Sequence, residues 1–101
     1  MKNEQNRIKM KSMDKDSQVI RLLKSAYEKS GKTHVEIAQE IEASQPFISK
    51  IFSGRQYASL AMLVKIGITV GLEPKQVTAV YKKDKIAEID SEIAEILDST
   101  K

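Results

Sequence analysis

The stretch EIAQEIEASQPFISKIFSG, residues 36–54, contains two short runs with helical apolar spacing. Ile37, Ala38 and Ile41 make the first, and Phe47, Ile48, Ile51 and Phe52 make the second. Between them the chain turns within a few residues and meets Pro46. A proline in the first turn of a helix costs nothing, because that N–H has no intrahelical acceptor and the fixed φ suits the start of a helix. With Ser44 ahead of it as a cap, Pro46 begins the second helix, and Gly54 ends it.

Working outward, Thr33 caps the first helix of the pair and Glu36, three residues on, completes a capping box, with Val35, Ile37, Ala38 and Ile41 supplying its buried face. Before it, Ser17 caps a helix whose apolar stripe is Val19, Ile20, Leu22, Leu23, Ala26 and Tyr27, closed by Gly31. After the corner, Ser59 caps a fourth helix with Leu60, Leu63, Val64 and Ile66 inward. A strand over residues 64–70, where Ile68, Thr69 and Val70 are β-branched, is the competing reading; it fails because no second strand of similar quality exists to pair with it. A short fifth helix starts at Pro74, with Val77, Val80 and Tyr81 facing the core. The expected class is all-α.

The chain has 101 residues, a net charge of +3 and no cysteine. That length suits one small domain with tails, and a domain of about 60 to 65 residues buries only ~60% of its unfolded surface, so a partner subunit would help it. Without cysteine there is no disulfide, thiolate metal site or cysteine nucleophile, which fits a reducing compartment. Residues 1–16 are polar and aperiodic, read as a flexible tail, and Met10 and Met13 offer later starts of translation. The tail lacks the apolar segment of a secretory signal, and the most apolar run, residues 60–72, is interrupted by Lys65 and is shorter than the ~20 residues that span a bilayer. A cytoplasmic protein away from membranes is the expectation. No phosphate loop or dinucleotide glycine pattern is present, and His34, the sole histidine, lacks the companions of a metal site or a catalytic group. The reading is therefore of a protein that is not an enzyme and needs no cofactor or metal.

Two helices meeting at a tight turn, the second with a polar outer face, make a helix-turn-helix, whose second helix fits the DNA major groove. Ala38 lets the helices approach, Ala43 and Ile48 fill the angle, and Ile37, Ile41 and Ile51 anchor the pair. Residues 33–52, THVEIAQEIEASQPFISKIF, resemble the Xre family, the phage-repressor and Cro type of DNA-binding domain. The likeness runs through KSGKT before the motif and SLAMLVKIGITVGLEP after it, and so covers residues 19–81. It implies a compact five-helix, lambda-repressor-like domain, residues 17–81, that binds operator DNA as a dimer and regulates transcription. The chain departs from the family pattern at Glu42, where the turn commonly has Gly, at His34, where Gln is frequent, at Phe52, where an acid is frequent, and at Ala58, where Pro is frequent.

Base contacts are expected from Gln45, Pro46, Ser49 and Lys50 on the outer face of the second helix of the pair. Gln can bond bidentately to adenine, Lys reaches the O6/N7 edge of guanine, and a Pro ring packs on a thymine methyl. Phosphate contacts are expected from Thr33 and His34 at a helix N-terminus, where free N–H groups favour an anion, and from Ser53, Arg55, Gln56 and Tyr57 in the following loop. Phe47 and Phe52 read as core, since duplex readout needs no stacking groups.

Residues 82–101 form a separate segment, an amphipathic C-terminal helix. Ile86, Ile89, Ile93 and Ile96 recur at spacings of three, four and three, with Leu97 beside them, the period of a paired-helix seam. A helix of that length is marginal alone and must pack on something: its own domain, another protein, or the same helix of a second subunit. The dimer is favoured, because paired half-sites ~34 Å apart suit a dimer. The functional expectation is a repressor bound to a palindromic operator as a homodimer; the alternative is an antitoxin or co-regulator whose C-terminal helix binds a partner.

Overall fold

The computed structural model describes residues 17–99, and every element among them is helical. The order is α1 (Gln18–Ser30), α2 (His34–Glu40), α3 (Gln45–Phe52), α4 (Leu60–Thr69) and α5 (Pro74–Ser99). The expected tail at residues 1–16 lies outside the described residues. No described helix is long and apolar enough to cross a membrane.

Four helices begin as their capping residues dictate. The hydroxyls of Ser17, Thr33, Ser44 and Ser59 accept from the N–H groups of Ile20, Glu36, Phe47 and Met62 at 3.2 to 3.3 Å. Each bond gives a partner to a donor that the helix itself cannot satisfy. At α2 the box is complete, since the Glu36 carboxylate also takes the Thr33 N–H at 2.8 Å. The fifth start is a variant in which the Gln76 side chain accepts from Glu73 N–H at 2.8 Å, with Pro74 as the first helical residue.

The core is built from Val19, Ile20 and Leu23 of α1, Ile37 and Ala38 of α2, Ile48, Ile51 and Phe52 of α3, and Leu63 and Ile66 of α4. Ala58, Val70 and Val77 complete it, with Phe47, Ala43 and Ile41 half-buried at its edge. Residues 60–69 are helical, so the strand reading is rejected in the structure as well. Gly67 shows why α4 must be bare there: a Cβ on it would lie 2.6 Å from Val77 Cγ2, where α4 crosses α5.

Two expectations need correction. Val35 does not join the buried face of α2 but is 49% exposed. It sits two residues before Ile37, about 200° away around the helix axis. The second correction is larger: the short fifth helix and the C-terminal helix are one continuous helix, α5, of 26 residues. Between Pro74 and Ser99 there is neither Gly nor Pro to break it.

Contacts between α5 and α1 continue past residue 81. Asp84 of α5 accepts from Gln18 N–H at 3.1 Å and Val19 N–H at 2.9 Å. Helix α1 has no acidic residue in its own first turn, and Asp84 supplies the negative charge favoured at its N-terminal end from across the fold. From Ile86 onward every described residue of α5 is exposed. Residues 86–99 thus form a stem about 21 Å long at ~1.5 Å per residue, continuous with the helix that closes the core.

Candidate nucleic-acid interface

The corner between α2 and α3 is made by residues 41–44. Ala43 N–H reaches back to Ala38 O at 2.8 Å, and Glu42 N–H to Gln39 O at 3.3 Å. This is the paired bonding of a Schellman end, which needs a left-handed residue at the position of Glu42. Glu42 has φ 57°, the sole positive φ outside glycine among the described residues. The same two bonds close α3 at Gly54 and α4 at Gly71, so the corner follows a common helix-ending rule with glutamate in the place of glycine.

That corner sets the face α3 presents. Ile48, Ile51 and Phe52 are buried, while Gln45, Pro46 and Lys50 are exposed. With successive residues about 100° apart, Gln45, Ser49, Pro46 and Lys50 span roughly 140°, from Gln45 at the edge of the buried arc, in line with Phe52 two turns on, to Pro46 and Lys50 on the side away from it. The structure brings all four together on one outer surface.

Their roles differ, however. Ser49 is half-buried, and its hydroxyl lies 2.8 Å from His34 Nδ1 and accepts from Gln45 Nε2 at 2.7 Å. A hydroxyl has one proton and two lone pairs, so either His34 tautomer is compatible with the bond from Gln45. Ser49 is therefore a strut between two side chains. Gln45 keeps Oε1 and its second Nε2 hydrogen, the acceptor and donor that a bidentate pair with adenine uses.

His34 is held on its other side by rings. It stacks on Phe52 at 5.1 Å between centroids with planes 3° apart, and it lies 4.9 Å from Tyr27. Tyr27 and Phe52 complete the triangle at 5.1 Å. Three helices meet through these rings, and Phe52 gives His34 a stacking partner that an acid at that position could not supply. Helical apolar spacing makes Tyr27 and Phe52 core residues and does not by itself connect them to His34.

The N-terminal end of α2 is less open to an anion than expected. The capping box engages Thr33 N–H and Glu36 N–H and already sets a carboxylate there. The His34 and Val35 N–H groups are the two of that set which the box does not engage. In the loop after α3, Ser53 Oγ donates to Lys50 O at 3.0 Å and accepts from Arg55 Nε at 3.0 Å, while Gln56 Nε2 donates to Tyr57 O at 3.1 Å. Arg55 is exposed beside the α3 surface. Tyr57 is also exposed; burial, and then a side-chain hydrogen bond with Tyr57, push the Tyr81 phenol above its usual range. Lys85, 5.6 Å over the Tyr81 ring, is held above the ordinary lysine range mainly by its bond to Glu88 at 3.1 Å.

Ile86, Ile89, Ile93, Ile96 and Leu97 lie on the stem and are between 49% and 59% exposed. They are far from the α3 surface in sequence. Asp84 was not anticipated as a structural residue; its partners are 65 and 66 positions away, and the one available hint was the missing acid at the start of α1.

Compared with known proteins, the chain matches no family model, no curated protein and no solved structure.

Proposed function

We propose that the chain is a sequence-specific double-stranded DNA-binding regulator of the Xre type, with a lambda-repressor-like domain, acting as a repressor that binds a palindromic operator as a homodimer. The observation that carries this reading is the outer surface of α3. Gln45, Pro46 and Lys50 are exposed on a short helix held at a fixed corner, Pro46 and Lys50 away from the buried arc and Gln45 at its edge, and the amide of Gln45 is oriented by Ser49. An oriented amide reads a base better than a free one, because less rotamer entropy is lost on binding.

In this reading Gln45 pairs with adenine, Lys50 bonds to guanine, and Pro46 packs against a thymine methyl. Arg55 and the His34 and Val35 N–H groups meet phosphates and set the register without reading sequence. Each well-formed base pair contact is worth about 1 to 3 kcal/mol of discrimination. The uncovered seam of the stem supports the homodimer, since two copies of one domain read twice the sequence that one can.

Selection of bound sites from random duplex DNA tests the reading. The expected result is an inverted repeat whose half-sites lie about one helical turn apart. Binding that depends on salt alone, with no sequence enriched, would overturn it.

A further inference from the structure

We propose that the stem of α5 pairs in parallel with the stem of a second copy, with Lys85 of each chain set against Asp90 of the other. This rests on the homodimer reading and adds its orientation. Ile86 and Ile93 fall at the first core position of two heptads, and Ile89 and Ile96 at the second. All four are half-exposed, as is Leu97 next to them.

Among the described residues the domain does not cover this face. Reaching back would require a break in α5, and residues 75–99 contain no Gly or Pro at which to bend. A lipid surface is an unsuitable cover, because Glu88, Asp90, Glu92, Glu95 and Asp98 flank the stripe with Lys85 as the one base, and anionic headgroups repel such a helix. A second copy brings an identical apolar seam, and its charges fit in one direction.

The flanking positions decide that direction. Lys85 and Glu92 precede the first core position of each heptad, and Asp90 and Leu97 follow the second. In a parallel pair each preceding residue faces the following residue of the next heptad on the other helix, five positions on. Lys85 then faces Asp90, twice by symmetry, and Glu92 faces Leu97 with no charge conflict. In an antiparallel pair that matches Ile86 with Ile96 and Ile89 with Ile93, like flanks face each other. Asp90 then meets Asp90, and Glu92 meets Glu92. The bond of Lys85 to Glu88 within one helix is exposed, about 39% and 48% at the two side chains, and such pairs exchange at little cost.

A parallel stem puts both domains at the same end, related by a two-fold axis along the stem. The absence of cysteine from the whole chain makes the orientation directly measurable. In full-length protein, Ile89→Cys should form a covalent dimer under mild oxidation, since that position faces itself only in the parallel pair. Ser91→Cys, on the outer side of the stem, should not. An equimolar mixture of Ile86→Cys and Ile96→Cys chains should give no mixed disulfide above the Ser91→Cys level.

The charge pair supplies a second readout that leaves the core intact. Lys85→Glu and Asp90→Lys should each weaken dimerisation in sedimentation by roughly tenfold, and the double variant should restore it. Preferential mixed disulfides, equal cross-linking of Ser91→Cys, no recovery in the double variant, or a trimer in sedimentation would each overturn the proposal. A monomeric wild type that still selects an operator sinks this inference and leaves the DNA reading standing; a parallel dimer that binds DNA blind to sequence does the reverse.

Discussion

Asp84→Ala removes an anchor that joins the two ends of the domain. The carboxylate accepts two backbone N–H groups of α1, from Gln18 at 3.1 Å on the exposed side and Val19 at 2.9 Å in a partly buried setting. A hydrogen bond to a charged group contributes about 1.5 to 3 kcal/mol when sheltered, and the exposed one less. Losing both, with the favourable charge at the end of α1, should cost about 2 kcal/mol. For a domain of this size that corresponds to a fall in Tm of roughly 8 to 16 °C. The assay is thermal and urea unfolding by circular dichroism at one fixed protein concentration, because association also moves Tm. Asp84→Asn keeps one acceptor oxygen and should lose about half as much. Glu92→Ala, on the exposed stem, is the control and should stay within about 0.5 kcal/mol of wild type. Hydrogen exchange at Gln18 and Val19 should quicken in Asp84→Ala beyond the change seen at Ile51. An Asp84→Ala chain that unfolds with the control, with both amides still protected, would refute the reasoning. The same geometry warns against testing the stem by ending the chain at residue 82, which would delete the anchor along with the seam.

Three further outcomes are expected. Glu42→Gly should raise stability by about 0.5 kcal/mol relative to Glu42→Ala, since glycine escapes the left-handed penalty of roughly 1 kcal/mol but costs some unfolded-state entropy; urea midpoints measure this, and a loss would mean the corner is unstrained. In quantitative binding to the selected operator, Gln45→Ala should relax preference at one base position, Ser49→Ala should relax the same position by a smaller amount, and Arg55→Ala should weaken all sequences alike; a Ser49→Ala effect at a different position would show that the hydroxyl contacts a base itself. Tyr81 should ionise above the ordinary phenol range in an ultraviolet titration. Its folded pKa is raised by burial and by Tyr57, so the native state keeps that proton longer than the unfolded chain. The associated stability is complete below pH 10 and is lost as pH rises through the folded pKa, and Tyr81→Phe should lessen that alkaline loss.

The residues that were legible in the sequence are those whose partners are close along the chain. Ser17, Thr33, Ser44 and Ser59 each cap a donor three positions on, so spacing alone reveals them. Glu42 is legible in the same way, because a left-handed residue is a local property of a helix end. Asp84 and the roles of Tyr27 and Ser49 depend on which helices pack together, and no short window contains that. Ser49 reads as a free polar group on an outer face until α2 brings His34 to within hydrogen-bonding distance. The continuity of α5 had a local signal, the absence of Gly and Pro, but the switch from inward Val77 and Tyr81 to the outward isoleucine seam resembles a boundary between two helices.

An unbroken α5 has a phase as well as a length. Asp84 clamps the helix to the domain and Ile86 begins the seam, so one intervening residue fixes how far the domain is rotated about the stem axis. Each residue inserted after Lys85 would turn the domain by about 100° relative to the seam. One or two insertions would swing the α3 surface to another side of the stem, whereas seven bring it back to within about 20° and only lift it by ~10 Å. Tolerance to insertions at this junction should therefore oscillate with the helical repeat instead of declining steadily with length.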